Sequence, residues 1–274
     1  MPFMPAVQPP AEISADALWC VFHKNTLCVL RDAAQVRLPT AAQVDGLNLP
    51  VIREQYLGTL DDVPCYCAEI EQLPSNLPDN VKFDGLRALF ERLPSDIFWM
   101  AGRASQTMHW NRTHQFCGMC GHATEHAENE RAKRCPKCGH TSYPRISPAI
   151  IVAVVKDEGQ LLLAHAKHFP EGLYSVIAGF VEAGETFEEA VCREVKEEVN
   201  IDVADIRYFG NQPWPFPDSL MVAFTAKYAG GDIQPDNVEI MDAGWYSADA
   251  LPTIPGKISV ARKLIDWFTA NHPA

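Results

Sequence analysis

Apolar positions along the chain fall into three regimes. Between residues 15 and 70 they come in short runs, ALWCVF, TLCVLR, QVRLP and CYCAEI, with HKN as a turn between the first two. Runs of this length between polar breaks predict strands. Further on, GLRALFERL and IFWMAGRASQTMHWNRTHQF repeat apolar residues at helical spacing, with Ser95-Asp96 as the cap of the second helix. From Ser147 onward strands and helices mix. AIIVAVV (149–155) is a continuous apolar run suited to a strand covered on both faces. KDEG turns the chain into QLLLAHA, and a further strand begins near Leu173. FTAKYAGG, EIMDAGWY and a last helix around ISVARKLIDWFTAN follow, with residues 258, 260, 261, 264, 265 and 268 on one helical face.

This pattern divides the chain into an N-terminal α+β domain (1–113), a short cysteine-rich segment (114–144) and a C-terminal α/β domain (145–274). A length of 274 residues, near which one core splits into two, agrees with that division. Composition adds an ordinary globular balance, 47% hydrophobic and 21% charged. No run approaches a membrane span and MPFMPAVQPPAEIS lacks the features of a signal peptide, so the expected location is cytoplasmic. The net charge of −12 argues against a protein-wide nucleic-acid surface, leaves room for a local basic groove, and suits acidic metal ligands.

Nine cysteines, an odd number, do not read as a disulfide framework. Cys65 and Cys67 are inward-facing members of one strand face. Cys117, Cys120, Cys135 and Cys138 form two CxxCG knuckles, and four thiolates suit a closed tetrahedral zinc site in a segment too short for its own core. A redox dithiol and unrelated buried thiols are the competing readings; the matched knuckles favour zinc, in a structural role. His122 and His140 directly follow the knuckles and read as surface or supporting residues.

The sharpest chemical signal is GFVEAGETFEEAVCREVKEEVNI (179–201). Thr186 and Glu189 form a capping box, so a helix starts after Thr186, with Phe187, Val191 and Val195 as its apolar stripe and Ala190 and Val199 at the flanks. Glu194, Glu197 and Glu198 then share one face. A solvated acidic face is the plain alternative. Arg193 can pair with Glu197, but Glu194 and Glu198 have no basic residue three or four positions away. Such carboxylates repel one another, and a hard divalent cation removes the conflict. Gly179 and Gly184 frame a loop able to approach a ligand closely, and Glu182 and Glu185 add carboxylates.

This stretch resembles the Nudix box: Gly179, Glu185, then Arg193-Glu194-Val195-x-Glu197-Glu198, closed by Ile201. Asn200 departs from it, standing where the family usually has glycine at a helix end that favours a left-handed residue. The resemblance implies a Nudix α/β/α sandwich with a mixed sheet and hydrolysis of a nucleoside diphosphate linked to another moiety, with two or more Mg²⁺ or Mn²⁺ ions on the glutamates. It also implies that Arg193 orients the glutamates and Glu185 braces the loop. Glu197 and Glu198 are the candidates for general base.

Farther on, QPWPFPDS (212–219) alternates prolines with Trp214 and Phe216. Taken alone, these rings either fill core or wall a ligand site on a rigid loop. NQPWPFPDSLM, however, resembles the signature of the NADH pyrophosphatases among Nudix hydrolases, as do the four-cysteine module, AGRA (101–104) and SYP (142–144). That resemblance implies cleavage of NADH or NAD⁺ to nicotinamide mononucleotide and AMP, removal of NAD caps from RNA in some members, and a homodimer sharing its pockets. By position it makes Glu194, Glu198 and Glu239 metal ligands and sets Gln212, Pro213, Trp214, Pro215, Phe216, Pro217, Asp218 and Ser219 beside the substrate. Phe180 and Tyr143 become candidates to stack on a base, Ala178 and Ala261 to offer backbone contacts, and Arg87 to reach a phosphate. Arg131, Lys133, Arg134 and Lys137 supply a modest basic patch on the zinc module, equally explained as solvated surface. Two readings compete: a broader Nudix hydrolase of ADP-ribose or dinucleoside polyphosphates, and a non-catalytic ligand-sensing or nucleic-acid-binding module on the same fold.

Overall fold

Two mixed sheets organise the chain. The computed structural model describes residues 3–33, 35–156 and 159–272, and the chain divides into two units: Met1–Arg145 with Pro215–Asp218, and Ile146–Trp214 with Ser219–Ala274.

In the first unit, β1 (Met4–Pro5), β2 (Leu18–His23), β3 (Thr26–Asp32), β4 (Gln35–Arg37), β5 (Val51–Leu60), β6 (Val63–Ile70) and β7 (Val81–Gly85) form one seven-stranded sheet. Its order is β1-β5-β6-β2-β3-β4, with β7 also on β3, and β2 and β6 run parallel. The four strands expected from the short apolar runs are β2, β3, β4 and β6. Three strands escape that reading: β1 spans only two residues, and exposed and half-buried positions dilute the apolar pattern of β5 and β7. Also missed is α1 (Ala41–Leu47), which starts at a Thr40–Gln43 capping box. Trp19, Tyr66 and Ala68 pack with Ala41 and Val44 of α1 on one face of the sheet. Cys20, in register with Cys67, meets Met100 of α2 (Ser95–Thr113) on the other face, its Sγ 3.6 Å from Sδ. Cys65 and Cys67 are fully buried, as their spacing predicts. The GLRALF stretch makes only a short 3-10 helix, Leu86–Leu89. The cap of α2 is Pro94 rather than Ser95-Asp96. Proline holds the extended entry, and Asp96 sits in the first turn, where a carboxylate meets the positive end of the helix.

A three-stranded ribbon of β8 (Glu125–His126), β9 (Lys133–Arg134) and β10 (Thr141–Ser142) completes this unit.

The second unit is an α/β/α sandwich. It contains β11 (Ser147–Lys156), β12 (Gln160–Ala166), β13 (Ile177–Phe180), α3 (Phe187–Val199), β14 (Asp202–Trp214), β15 (Ser219–Gly230), β16 (Ile240–Ser247) and α4 (Val260–Asn271). Strand order is β14-β15-β11-β12-β16, with β13 on β11 and with β11 and β15 parallel. The continuous apolar run of β11 now has its reason. Ile150, Val152 and Val154 face the core under α3, while Ile151 and Ala153 face that under α4. Val260, Ala261, Leu264, Ile265 and Phe268 bury the expected face of α4; Ile258 precedes the helix.

Three expectations shift here. The strand expected near Leu173 begins at Ile177, after single bridges at Leu173 and Ser175. Phe187 lies in the first turn of α3 and is exposed, so Ala190, Val191, Val195 and Val199 form the buried stripe. Within QPWPFPDS, strand β14 continues through Trp214, because it is the sheet edge, where Pro213 removes no needed donor. Only Pro215–Asp218 turns, with a cis bond between Phe216 and Pro217. The KDEG turn includes residues 157 and 158, outside the described residues. Among the described residues, no helix is long and apolar enough to cross a membrane.

Asn200 closes α3 in the left-handed region (φ 60°), with its Nδ2 donating to Asp232 O at 3.2 Å. Asn200→Ala should therefore destabilise by about 1–2 kcal/mol through the left-handed penalty alone, whereas Asn200→Gly should be nearly neutral. Urea unfolding midpoints measure the difference.

Candidate active site

The geometry of the site begins with the cap of α3. Thr186 Oγ1 accepts from Glu189 N at 3.2 Å, and Glu189 Oε2 accepts from Thr186 N at 2.8 Å, which fixes where the helix starts. Burial of Val191, Val195 and Val199 against the sheet then fixes its rotation. Together they aim the four charged residues that follow.

Arg193 gathers them. Its Nε and Nη2 donate to the two oxygens of Glu185 at 2.7 and 2.8 Å, and Nη1 donates to Glu194 Oε1 at 2.8 Å and Glu197 Oε2 at 3.2 Å. Nη2 also reaches Phe180 O at 3.0 Å, tying the helix to the end of β13. The bidentate guanidinium holds the Glu185 carboxyl down at about 2, and Glu185 Oε2 in turn accepts from Glu182 N at 2.9 Å, bracing the loop.

Gly179 is a steric requirement. A Cβ there would lie 2.0–2.3 Å from the carboxylate of Glu194, which occupies the space a side chain would need. Gly184, at φ 91°, turns the loop in the left-handed region.

The three glutamates share a helical face but not an environment. Glu198 is buried, and Glu194 has 13% of its side chain exposed, whereas Glu197 has 63% exposed and points to solvent beside Arg193. Burial, then Glu194, Glu239, Asp236 and Glu197, push the Glu198 carboxyl up to about 8. Burial raises Glu194 as well, with Glu197 and Glu239 adding to it and Arg193 opposing. Glu239 is exposed and close enough to act on both. Its segment is shaped by Asp236, whose carboxylate accepts from the backbone N–H of Val238, Glu239 and Ile240 at 2.9–3.1 Å. Sequence reasoning misses Asp236; DNVEI, an Asp two residues before a loop turn, is the available signal.

Glu198 has no hydrogen-bond or cationic partner among the described residues. A buried carboxylate crowded by two others, with no cationic side chain of its own, fits hard divalent ions such as magnesium or manganese.

The cysteines fit zinc. All four Sγ atoms lie within 4.8 Å of one another, three pairs at 3.6 Å, against about 3.8 Å between sulfurs of a tetrahedral zinc thiolate. The two knuckles repeat one geometry. Cys117 N donates to His122 O and Gly121 N to Cys117 O; Cys135 N donates to His140 O and Gly139 N to Cys135 O, with both glycines at positive φ. His122 and His140 contribute carbonyls and keep exposed side chains. The ribbon's basic patch is thinner than its sequence suggests. Arg131 donates to Tyr56 O, Leu57 O and Ala6 O, and Lys133 is buried with Nζ 2.8 Å from Asn111 O.

The other expected residues divide between the units. In the second unit, Gln212 is buried and its amide is fully used, accepting from Val260 N at 2.7 Å and donating to Ile258 O at 3.0 Å, so it fastens the start of α4. Ser219 and Ala261 are buried, Ala178 is exposed on β13, and the Phe180 ring is 60% exposed. Pro213 and Trp214 end β14. In the first unit, Pro215 packs on Gly102, Arg87 lies over the Phe216 ring at 4.4 Å, and Asp218 acts on His109. Pro217 lines a cleft of the first unit together with Arg87, Pro215 and Phe216. Tyr143 is exposed, with its hydroxyl donating to Glu130 at 3.0 Å.

Comparison with known proteins joins these parts. The NUDIX domain family matches residues 145–268, the NADH pyrophosphatase zinc ribbon domain 112–143, and the NADH pyrophosphatase-like rudimentary NUDIX domain 16–110. The last gives the N-terminal sheet, which the sequence pattern left unnamed, a family. A relative from Stutzerimonas stutzeri named NAD-capped RNA hydrolase NudC is 43% identical over 93% of this chain and 90% of its own. Relatives of the same name from Pseudomonas aeruginosa and Deinococcus radiodurans are 45% identical (82% and 80% covered) and 40% identical (92% and 87% covered). A crystal structure of a NUDIX hydrolase from Nitrosomonas europaea superposes with a TM-score of 0.50 at 24% identity, over 58% of this chain and 92% of that one, a likeness of fold.

Because the folded chain holds the Glu198 proton more tightly than the unfolded chain does, stability of metal-free protein should fall as pH rises from about 4.5 to about 8 and level off above. Glu198→Gln should flatten that slope and raise the melting temperature of chelator-treated protein at pH 8. Melting curves across that range decide it. Strong chelation at neutral pH should separately unfold the ribbon, since its thiolates replace a core, and circular dichroism with zinc-release assays should report the loss together.

Proposed function

Since the chain belongs to the Nudix hydrolase family, in the branch of the NADH pyrophosphatases and NAD-capped RNA hydrolases, we propose that it hydrolyses the diphosphate of NADH or NAD⁺ to nicotinamide mononucleotide and AMP and removes NAD caps from RNA. The observation that carries the hydrolase reading is the carboxylate cluster organised by Arg193, with Glu198 buried inside it and, among the described residues, no cationic side chain paired with it. A binding module has no use for such a cluster, because crowding buried carboxylates destabilises the fold unless cations are admitted.

Glu194, Glu198 and Glu239 are the residues we assign to magnesium or manganese, the structural cysteines to zinc. Bound divalent ions supply positive charge against the diphosphate and acidify water. The chain's own residues do the rest. Arg193 holds Glu194 in place and keeps Glu185 on the loop, so the carboxylates need no reorganisation when substrate arrives. Of the two candidates for general base, Glu198 has the fitting position, buried inside the carboxylate cluster beside Glu194 and Glu239. One of its oxygens can face a cation while the other accepts a proton. Glu197 has one oxygen on Arg193 and the rest in solvent. Phe180, with its ring exposed at the end of β13 beside Gly179, is assigned to stack on a base of the substrate.

Substrate choice rests on the relatives' shared name and on the QPWPFPDS loop. A homodimer agrees with the exposed apolar side chains Phe116, Met119 and Tyr143. Nine free cysteines fit a reducing, cytoplasmic setting.

Product analysis with NADH, NAD⁺, ADP-ribose and NAD-capped RNA side by side tests the reading; a strong preference for ADP-ribose would overturn the substrate assignment. Glu198→Gln should lower kcat by about 10²–10⁴-fold while the fold survives, and Glu197→Gln should cost less. Equal losses would remove the distinction between the two.

A further inference from the structure

The first unit contains a cavity of about 570 Å³, within the size range of ligand sites. Its wall carries the cations Lys24, Arg87 and Arg112, together with His109, Ser105 and Phe216, and none of its lining residues is acidic. In a chain with 35 acidic residues against 23 basic ones, that is a marked local reversal of charge.

Two of the cations, Arg112 and Arg87, are held in place. Arg112 Nη1 is fixed from behind by buried Glu69 at 3.0 Å, which Arg53 also holds at 2.6 Å, and Arg112 Nη2 lies 3.4 Å from His109 Nδ1. Arg87 stacks over the Phe216 ring at 4.4 Å. Lys24 stands exposed at the tip of the β2–β3 turn, at φ 55°. Besides Glu69, Asp218 is an acidic group nearby, close enough to act on His109. Basic side chains around a ring stack are the parts of a single-strand nucleic-acid site: cations follow the phosphates and flat groups carry a base.

We propose that this cleft takes the first nucleotides of the RNA chain that follows an NAD cap, with Lys24 and Arg112 toward its phosphates and the Arg87–Phe216 stack against a base. The proposal rests on the NAD-cap reading above. A free dinucleotide ends at its second nucleoside and offers no further phosphates to such a row of cations. The zinc ribbon is the other basic segment, and its Arg131 and Lys133 are already committed to backbone carbonyls. The cleft wall also includes Pro215, Phe216 and Pro217, the tip of the loop assigned to substrate choice.

The test uses Lys24→Glu, Ser105→Glu and the double variant, because neither side chain makes a hydrogen bond or ion pair among the described residues. With NADH, kcat/KM should stay within about twofold; with an NAD-capped RNA of about ten nucleotides it should fall about tenfold in the double variant. The logarithmic salt dependence for RNA should become shallower by about 0.7 for each phosphate that is no longer neutralised. Fluorescence anisotropy with a 5′-monophosphate RNA of the same length should show the same drop in affinity, without relying on hydrolysis. Unchanged RNA binding and turnover would overturn the proposal, as would parallel losses on NADH. Wild-type protein inactive on every dinucleotide would instead overturn the hydrolase reading, and the anisotropy would still decide the cleft.

Discussion

The carboxylate of Glu194 occupies the volume that any side chain at position 179 would fill, and much else in the second unit is arranged around that approach. Strand β13 can lie this close to α3 because Gly179 presents only backbone. Arg193 then bridges the two elements, binding Glu194 on the helix and the carbonyl of Phe180 at the end of the strand. Glu185 belongs to the same bridge, since its two oxygens meet the guanidinium while its loop is pinned through Glu182. A helix, a strand and a loop are thus held by one cation, and the acid cluster inherits its rigidity.

That rigidity has an electrostatic cost, concentrated on Glu198. The side chain is needed on the inner face by the same rotation that buries Val191, Val195 and Val199. It therefore enters a low-dielectric setting beside Glu194 and Glu239, and among the described residues no cation pairs with it directly. The fold tolerates this because the apolar stripe and the cap stabilise the helix independently of its acidic side.

Much of this was legible in the sequence, for physical reasons that differ from place to place. The capping box at Thr186, the left-handed Asn200 and the double-faced strand β11 each leave a local signature, and each is where the spacing says. The knuckles are legible because two glycines and four cysteines repeat one turn. What escaped was tertiary. Helical spacing puts Glu197 with Glu194 and Glu198 and offers it Arg193 as a partner, but only the fold shows that Glu197 stays in solvent while Glu194 and Glu198 are buried. Gln212 reads as a ligand-side residue, yet its amide closes the backbone at the start of α4. Likewise Arg131 and Lys133 read as surface charge because nothing in ENERAKRC indicates that carbonyls of β5 and α2 wait for them. Side-chain donors that satisfy distant backbone groups leave no periodic trace.

Those two ribbon cations have a structural meaning beyond charge. Arg131 supplies the donors for carbonyls of Ala6, Tyr56 and Leu57, and Lys133 for the last turn of α2 at Asn111. Four acceptors of the N-terminal sheet and its helix are thus closed by a segment whose own order depends on a metal. Zinc supply becomes a condition for the integrity of strands far from any cysteine ligand. A chain made in zinc-poor cells would then fail as a folding unit, with the strand edge carrying Tyr56 and Leu57 opened to partners of its own kind.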